Sequence, residues 1–297
     1  MLVGIDWGGT KIEGICLSGD GEILARRRVA TPRGDYEACI AAIADLVAGL
    51  EAAAGLRGTV GVGIPGAISP RTGLIMNANS TWNIGRPLDR DLERALGREV
   101  RVENDANCFA VSEAVDGAGA GCAVVWGVIL GTGAGSGIAI DGRALGGHNR
   151  IAGEWGHNPL PRPRDDERPG PACYCGRHGC NETFVSGTGF ERDFRERTGR
   201  TLPGPDIVQL MRSGNRAARD AYEAYLDRLG RGLASVVNVL DPDIIVLGGG
   251  MSNVEELYLD LPSRIAPHVF SDSFTTPVVM HRHGDSSGVR GAAWLWK

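Results

Sequence analysis

Four metal-binding side chains crowd one stretch of this 297-residue chain: His157, then Cys173, Cys175 and Cys180. One imidazole and three thiols make a soft tetrahedral set suited to Zn²⁺, and His178 is a spare donor beside it. The other reading is three reduced surface thiols near a chance histidine, which the reactivity of exposed cysteine disfavours. A second kind of chemistry is carried by glycine. Asp6-Trp7-Gly8-Gly9-Thr10-Lys11 lies between two apolar runs, where glycines let successive backbone N–H groups point at an anion and Lys11 adds a positive charge. Asp6 at the end of the first run is placed to hold Mg²⁺ or its water. Gly131-Thr132-Gly133-Ala134-Gly135 is a similar loop. Taken singly, each is also explained as a hairpin turn or a strand bend.

Two further groups complete the set. Glu103-Asn104-Asp105-Ala106-Asn107 follows a short apolar run and opens a helix, which puts Asp105 at the C-terminal edge of a strand, a common place for reactive groups in α/β proteins. Helix capping explains one Asn or Asp there equally well. Leu240 to Gly250 runs from a strand pattern into Gly248-Gly249-Gly250, a turn that a flat ring could approach closely.

The elements that must position these groups are read from periodicity. Runs at 2–7, 12–18 and 22–31 predict three strands, and 35–54 a helix. A strand over 60–65, a helix over 87–96 with Pro87 at its first position, and a strand at 100–102 follow. Strand 122–130, loop 131–137 and strand 138–145 repeat the opening plan. A helix at 216–239, a strand at 243–247, a helix near 254–266, a strand at 277–281 and a helix at 286–296 close the chain. Two α/β lobes are expected, 1–117 with 285–297 and 118–284, with a cleft that has one glycine loop on each wall. The stretch 158–172, rich in Pro, Arg and Asp, has little that would fold without a metal clamp.

Composition narrows the function classes. The chain is 42% hydrophobic and carries 31 Lys and Arg against 36 Asp and Glu, so disorder is excluded and a net charge of −5 offers no footprint for nucleic acid or an anionic membrane. The uncharged stretch 117–140 holds eight glycines and suits two buried strands better than a membrane helix. The N-terminus lacks a signal-peptide pattern, so the cytoplasm is expected. Seven cysteines in such a chain do not suggest a disulfide framework, and Cys16, Cys39, Cys108 and Cys122 read as small buried apolar residues.

On these motifs the chain resembles, over nearly its whole length, the sugar kinases of the actin-like ATPase and hexokinase superfamily. Within it, the resemblance is to the ROK family of repressors, open-reading-frame proteins and kinases. The resemblance implies two ribonuclease-H-like lobes, and ATP phosphates gripped by Gly4, Ile5, Asp6, Trp7, Gly8, Gly9, Thr10 and Lys11 and by Gly131, Thr132, Gly133, Ala134, Gly135, Ser136 and Gly137. Gly248, Gly249 and Gly250 become the adenosine wall. Asp105 becomes the base that takes the proton of the attacking hydroxyl. Gly66, Asn79, Asn104, Glu154, His157 and Glu182 become sugar partners, and His157 with the three cysteines binds one structural zinc. Trp7 and Asn181 stand where the resemblance leads us to expect apolar residues, aliphatic at the first. Similarity over 153–161, 173–189 and 283–296 points to the fructokinase branch, hence to fructose phosphorylated at its 6-hydroxyl. N-acetylglucosamine, N-acetylmannosamine and glucose kinases share every motif. A homodimer is expected. The family's sugar-responsive repressors carry a DNA-binding helix-turn-helix ahead of the kinase-like part, which does not suit a first loop at residue 6 and an acidic chain.

Overall fold

The computed structural model describes residues 1–78 and 80–297, and of Asp285 the backbone alone. The chain begins with a meander of β1 (Leu2–Trp7), β2 (Lys11–Leu17) and β3 (Ile23–Ala30), in which Trp7 faces Ile12 and Lys11 faces Ala30. Helix α1 (Tyr36–Ala54) starts where the Asp35 carboxylate accepts from Ala38 N and stops at Gly55 in the left-handed region. Its stripe of Cys39, Ile43, Leu46, Val47 and Leu50 is buried. Next come β4 (Thr59–Ile64), a small hairpin of β5 (Ala67–Ile68) and β6 (Ile75–Met76), α2 (Leu88–Leu96), β7 (Val100–Asn104) and α3 (Asp105–Val115). The first sheet has the order β3-β2-β1-β4-β7, with β4 parallel to both β1 and β7. Pro87 is the residue before α2 and not its first residue.

The later elements are β8 (Val124–Leu130), β9 (Ala134–Ile140), β10 (Arg143–Ala144), α4 (Asn181–Val185), α5 (Gly187–Thr198), α6 (Gly204–Arg212), α7 (Arg216–Leu240), β11 (Ile244–Gly248), α8 (Glu256–Ile265), β12 (Val278–Met280) and α9 (Ser287–Trp294). The second sheet has the order β10-β9-β8-β11-β12. Two compact units result: Met1–Val125, Gly137–Gly153 and Arg282–Lys297 form one, and Trp126–Ser136 with Glu154–His281 the other. Among the described residues no helix is long and apolar enough to cross a membrane, and 124–140 forms two strands.

In the first unit α9 packs against α3 and β1 at glycine contacts. A β-carbon at Gly4 would run into Val289 O, and one at Gly291 into Cys108 O. Gly4, expected to grip phosphate, therefore serves this packing, while Ile5, also expected there, is fully buried on the other face of the sheet, beside Gly14, Leu46 and Leu50. The second glycine loop is also shorter than 131–137, because β9 begins at Ala134. Ser136 is buried and accepts from Trp126 Nε1 at 2.8 Å, and Gly137 lies against the Ala106 carbonyl. These two residues, also expected at the phosphates, are spent on packing.

Candidate functional site

In the first unit Asp6, the last residue but one of β1, lies directly opposite Glu13 of β2. Burial, then the Glu13 charge, push the Asp6 carboxyl up to about 6, against the opposing pull of Lys11 and Arg28. Glu13 is 1% exposed. Its burial is outweighed by hydrogen bonds from Arg28 (3.1 and 2.6 Å) and from Arg26 Nε (2.6 Å), which hold its carboxyl below the ordinary value. Lys11 Nζ is 3.7 Å from the same carboxylate. The turn between the strands is pinned from both sides: Gly8 N donates to Lys11 O, Thr31 Oγ1 donates to Gly8 O, and Thr31 N donates to Thr10 O. Gly9 and Thr10 form the tip. Trp7 is buried with its ring 6.3 Å from that of Tyr36, so the bulky residue is absorbed by the α1 side of the core.

The same unit gathers Gly66, Asn104 and Asp105. Asn104 caps α3, its Oδ1 accepting from Ala106 N (2.9 Å) and Asn107 N (3.3 Å), while its Nδ2 donates to Gly66 O (3.1 Å). Capping is thus Asn104's work, and Asp105 is the first helical residue, its Oδ1 also accepting from Ala106 N at 2.8 Å. Gly66 has φ +109, and a β-carbon there would meet Met76 O at 2.7 Å. Asn79 lies outside the described residues.

In the second unit the turn Gly131–Gly133 closes on itself, Gly131 N donating to Gly133 O at 2.9 Å. Glu182 of α4 reaches under it. Glu182 Oε2 accepts from Ala134 N (3.1 Å), and its Oε1 lies 4.0 Å from Cys173 Sγ. This carboxylate, expected to meet only a sugar, joins the glycine turn to the cysteine cluster. A β-carbon at Gly156 would strike Ala134 O, so the 3₁₀ turn Trp155–His157 is also seated on the loop. Asn181 is fully buried and donates from Nδ2 to Trp155 O (3.0 Å), which ties α4 to that turn and explains a polar residue at this position. Glu154 is exposed immediately before the turn.

His157, Cys173, Cys175 and Cys180 bring their ligand atoms within 4.8 Å of one another. Zn–S bonds of about 2.3 Å and Zn–N of about 2.0–2.1 Å at tetrahedral angles place sulfur atoms about 3.8 Å apart and sulfur about 3.6 Å from nitrogen. Cys175 and Cys180 Sγ are 3.6 Å apart, and Cys173 Sγ is 3.6 Å from His157 Nδ1. The donor set fits zinc. Burial pushes Cys180 up to about 12 and raises Cys173, whereas backbone hydrogen bonding at Arg177 lowers Cys175, so a cation is needed to ionise all three. His157 Nε2, expected at a sugar hydroxyl, sits 2.8 Å from Tyr174 OH, the outer partner that fixes a ligating imidazole. His178 stays outside the cluster, in a β-bridge with Ala172.

The second unit also holds a cavity of about 520 Å³, in the range that takes a nucleotide-sized ligand. Its walls include Gly131, Thr132, Thr188, Arg212, Gly250 and Met251. Gly249 has φ +80, and a β-carbon on it would lie 2.6 Å from the Leu130 carbonyl carbon, so the two glycine turns lean directly on each other. Thr188 Oγ1 donates to Thr132 O at 2.8 Å. Thr188, Gln209 and Arg212 were missed from sequence. Ser186-Gly187-Thr188-Gly189 repeats the Gly-Thr-Gly pattern of 131–133 and was a usable signal; Gln209 and Arg212 lie on α6, which no pattern had announced.

The model of the ROK family matches residues 2–297. The N-acetyl-D-glucosamine kinase of Vibrio cholerae is 41% identical over 99% of both chains. A ROK hexokinase from Thermus thermophilus superposes with a TM-score of 0.88 at 33% identity, covering 99% of this chain and 97% of that one. A ROK glucokinase from Streptomyces griseus, solved with glucose and AMPPNP, gives 0.77 at 29%, covering 98% and 97%. With both sheets, both glycine turns and the His–Cys cluster in place, the chain belongs to the ROK family.

Proposed function

We propose that this chain is an ATP-dependent sugar kinase whose acceptor is N-acetylglucosamine. The observation that carries the kinase reading is the cavity of about 520 Å³ bounded by both glycine turns of the second unit, the turns that sequence assigns to ATP. Its Gly131–Gly133 side receives phosphates and its Gly249–Met251 side the nucleoside. Asp105, at the start of α3, takes the proton of the attacking hydroxyl, while Asn104 and Gly66 fix the sugar from the same unit. In the second unit Glu154, Glu182 and the His157–Tyr174 pair are the candidate partners of sugar hydroxyls, and zinc would hold them in place. Asp6 suits Mg²⁺: a buried carboxyl pushed up to about 6 is one that a cation would draw back into its ionised form. Bound there, Mg²⁺ would supply the charge neutralisation that phosphoryl transfer needs.

Fructose gives way as the first choice. That expectation rested on 153–161, 173–189 and 283–296, short segments whose zinc ligands and sugar partners are motifs shared with the N-acetylglucosamine, N-acetylmannosamine and glucose kinases. Similarity at 41% over the whole chain to an N-acetyl-D-glucosamine kinase is the broader guide.

ADP release measured across N-acetylglucosamine, N-acetylmannosamine, glucose, mannose and fructose tests this. N-acetylglucosamine is expected to lead in kcat/KM by about tenfold or more. Fructose ahead of it would overturn the acceptor and leave the chemistry standing. In the same assay Asp105→Asn should lower kcat at least about 10²-fold while calorimetric sugar affinity moves less than about tenfold, since Asn keeps the shape but cannot take the proton. Near-normal turnover would remove Asp105 from the role of base.

A further inference from the structure

The first unit contains a second cavity, of about 460 Å³, whose lining includes Arg101, Glu103, Arg143, Arg150, Trp294 and Trp296. Lys297 adds a fourth side-chain cation against the one side-chain carboxylate, that of Glu103. In a chain of net charge −5 such a concentration of positive charge is local, not compositional. Two of the guanidinium groups are short of acceptors. The Arg143 guanidinium has no hydrogen bond or ion pair among the described residues, its backbone alone being paired, in β10. Arg150 has Glu103 Oε2 at 3.4 Å, longer than the roughly 2.7–2.9 Å of a strong charge-assisted bond. Arg101 is already positioned: it donates to Leu295 O at 2.6 Å and stacks 4.2 Å above the ring of Trp296, whose Nε1 donates to Val60 O.

We propose that this cavity binds a small phosphomonoester and is a regulatory site coupled to α3. Planar guanidinium forks match phosphate oxygens bidentately, and a phosphomonoester brings close to two negative charges to meet the unsatisfied Arg143 and Arg150. Base stacking is not on offer, because Arg101 covers the ring of Trp296 and Lys297 Nζ lies 4.7 Å from that of Trp294. A sugar-phosphate-sized anion fits the volume; a polyanionic nucleic acid does not fit an acidic chain. The coupling runs through Glu103. Its Oε1 accepts from Asn104 N (2.9 Å) and Asn107 Nδ2 (3.1 Å), and Asn104 caps the helix whose first residue is Asp105. A dianion competing for Arg150 takes away the only cation paired with Glu103 among the described residues, and the α3 N-terminus feels the change. The effect on turnover rests on the kinase reading above. Binding does not.

Calorimetry with inorganic phosphate and with glucose 6-phosphate, run with AMPPNP and N-acetylglucosamine present to occupy the substrate sites, tests the site on the full chain. One saturable site is expected, weakened at least about tenfold in Arg143→Ala and in Arg150→Ala. Arg143→Ala should keep its turnover without added phosphate and lose the response of kcat to added phosphomonoester. No saturable binding, or equal binding in wild type and Arg143→Ala, overturns the site and leaves only a solvated basic surface. Arg143-dependent binding with no change in kcat overturns the coupling. A chain without kinase activity that still shows Arg143-dependent binding removes the kinase reading and keeps the site.

Discussion

Asp6 is a carboxylate at the end of a buried strand facing another carboxylate, and its chemistry is set by what burial does to its charge. Its carboxyl is raised from 3.8 to about 6, so between those values the native chain holds a proton that the unfolded chain has released. Stability therefore falls as pH rises through that window, by up to about 3 kcal/mol. Asp6→Asn cannot ionise and escapes this loss, so calorimetric Tm should exceed wild type by more at pH 8 than at pH 5. Activity should be lost at both values, because the amide is a poor Mg²⁺ ligand. An equal Tm difference at the two pH values would show that Asp6 is not held near neutrality. At this scale the sequence was legible wherever residue type alone dictates chemistry, as with His157 and the three cysteines. It was not legible for Glu182, because only the folded chain brings Ala134 N and Cys173 to opposite oxygens of one carboxylate.

Among the elements, the 3₁₀ turn Trp155–His157 binds the metal cluster to the glycine loop at one point, where Gly156 meets Ala134 O too closely for a side chain. Gly156→Ala must push the two backbones apart and move the loop beside Ala134. The expected result is a rise in KM for ATP of about tenfold or more with zinc content unchanged. Loss of zinc with an unchanged KM for ATP would show that the contact serves the metal and not the loop. The strands were legible because β1, β4, β8 and β11 are continuous apolar runs, and α1 and α7 because helical periodicity is sustained over their 19 and 25 residues. Helices α4, α5 and α6 were missed. Their apolar residues are few, Phe184 and Val185, then Phe190 and Phe194, then Ile207, Val208 and Met211, and α7 supplies the surface against which they are buried. The contact that Gly137 makes was hidden for a related reason: a glycine that admits a helix backbone, here that of Ala106 and Asn107, looks in sequence like one that admits a phosphate.

For the molecule as a whole, the candidate zinc ligands fall entirely within the second unit, whereas the first unit has its own core of Val3, Ile5, Ile43, Leu50, Val60 and Val62. Nor would a metal be the sole anchor of the stretch 158–172. Glu167 is 4% exposed, and its burial is outweighed by hydrogen bonds from Arg231 and Arg228 of α7, which bring its carboxyl down to about 2. Arg231 Nη1 also donates to Pro161 O and Arg162 O. The chain around residues 161–168 is thereby fastened to α7 by charge and hydrogen bonds, and residues 173–180 are gathered around the cysteines. Removing zinc with a chelator should then raise hydrogen exchange at residues 173–180 and in the Trp155–His157 turn, while amides of Glu167, Arg168, β1 and β4 keep their protection. Sugar affinity should fall, because Glu154 and Glu182 flank the loosened segments. Exchange spreading into β1 and β4 would mean that the metal supports both units, and unchanged exchange at 173–180 after verified zinc loss would mean that the cysteines do not hold it.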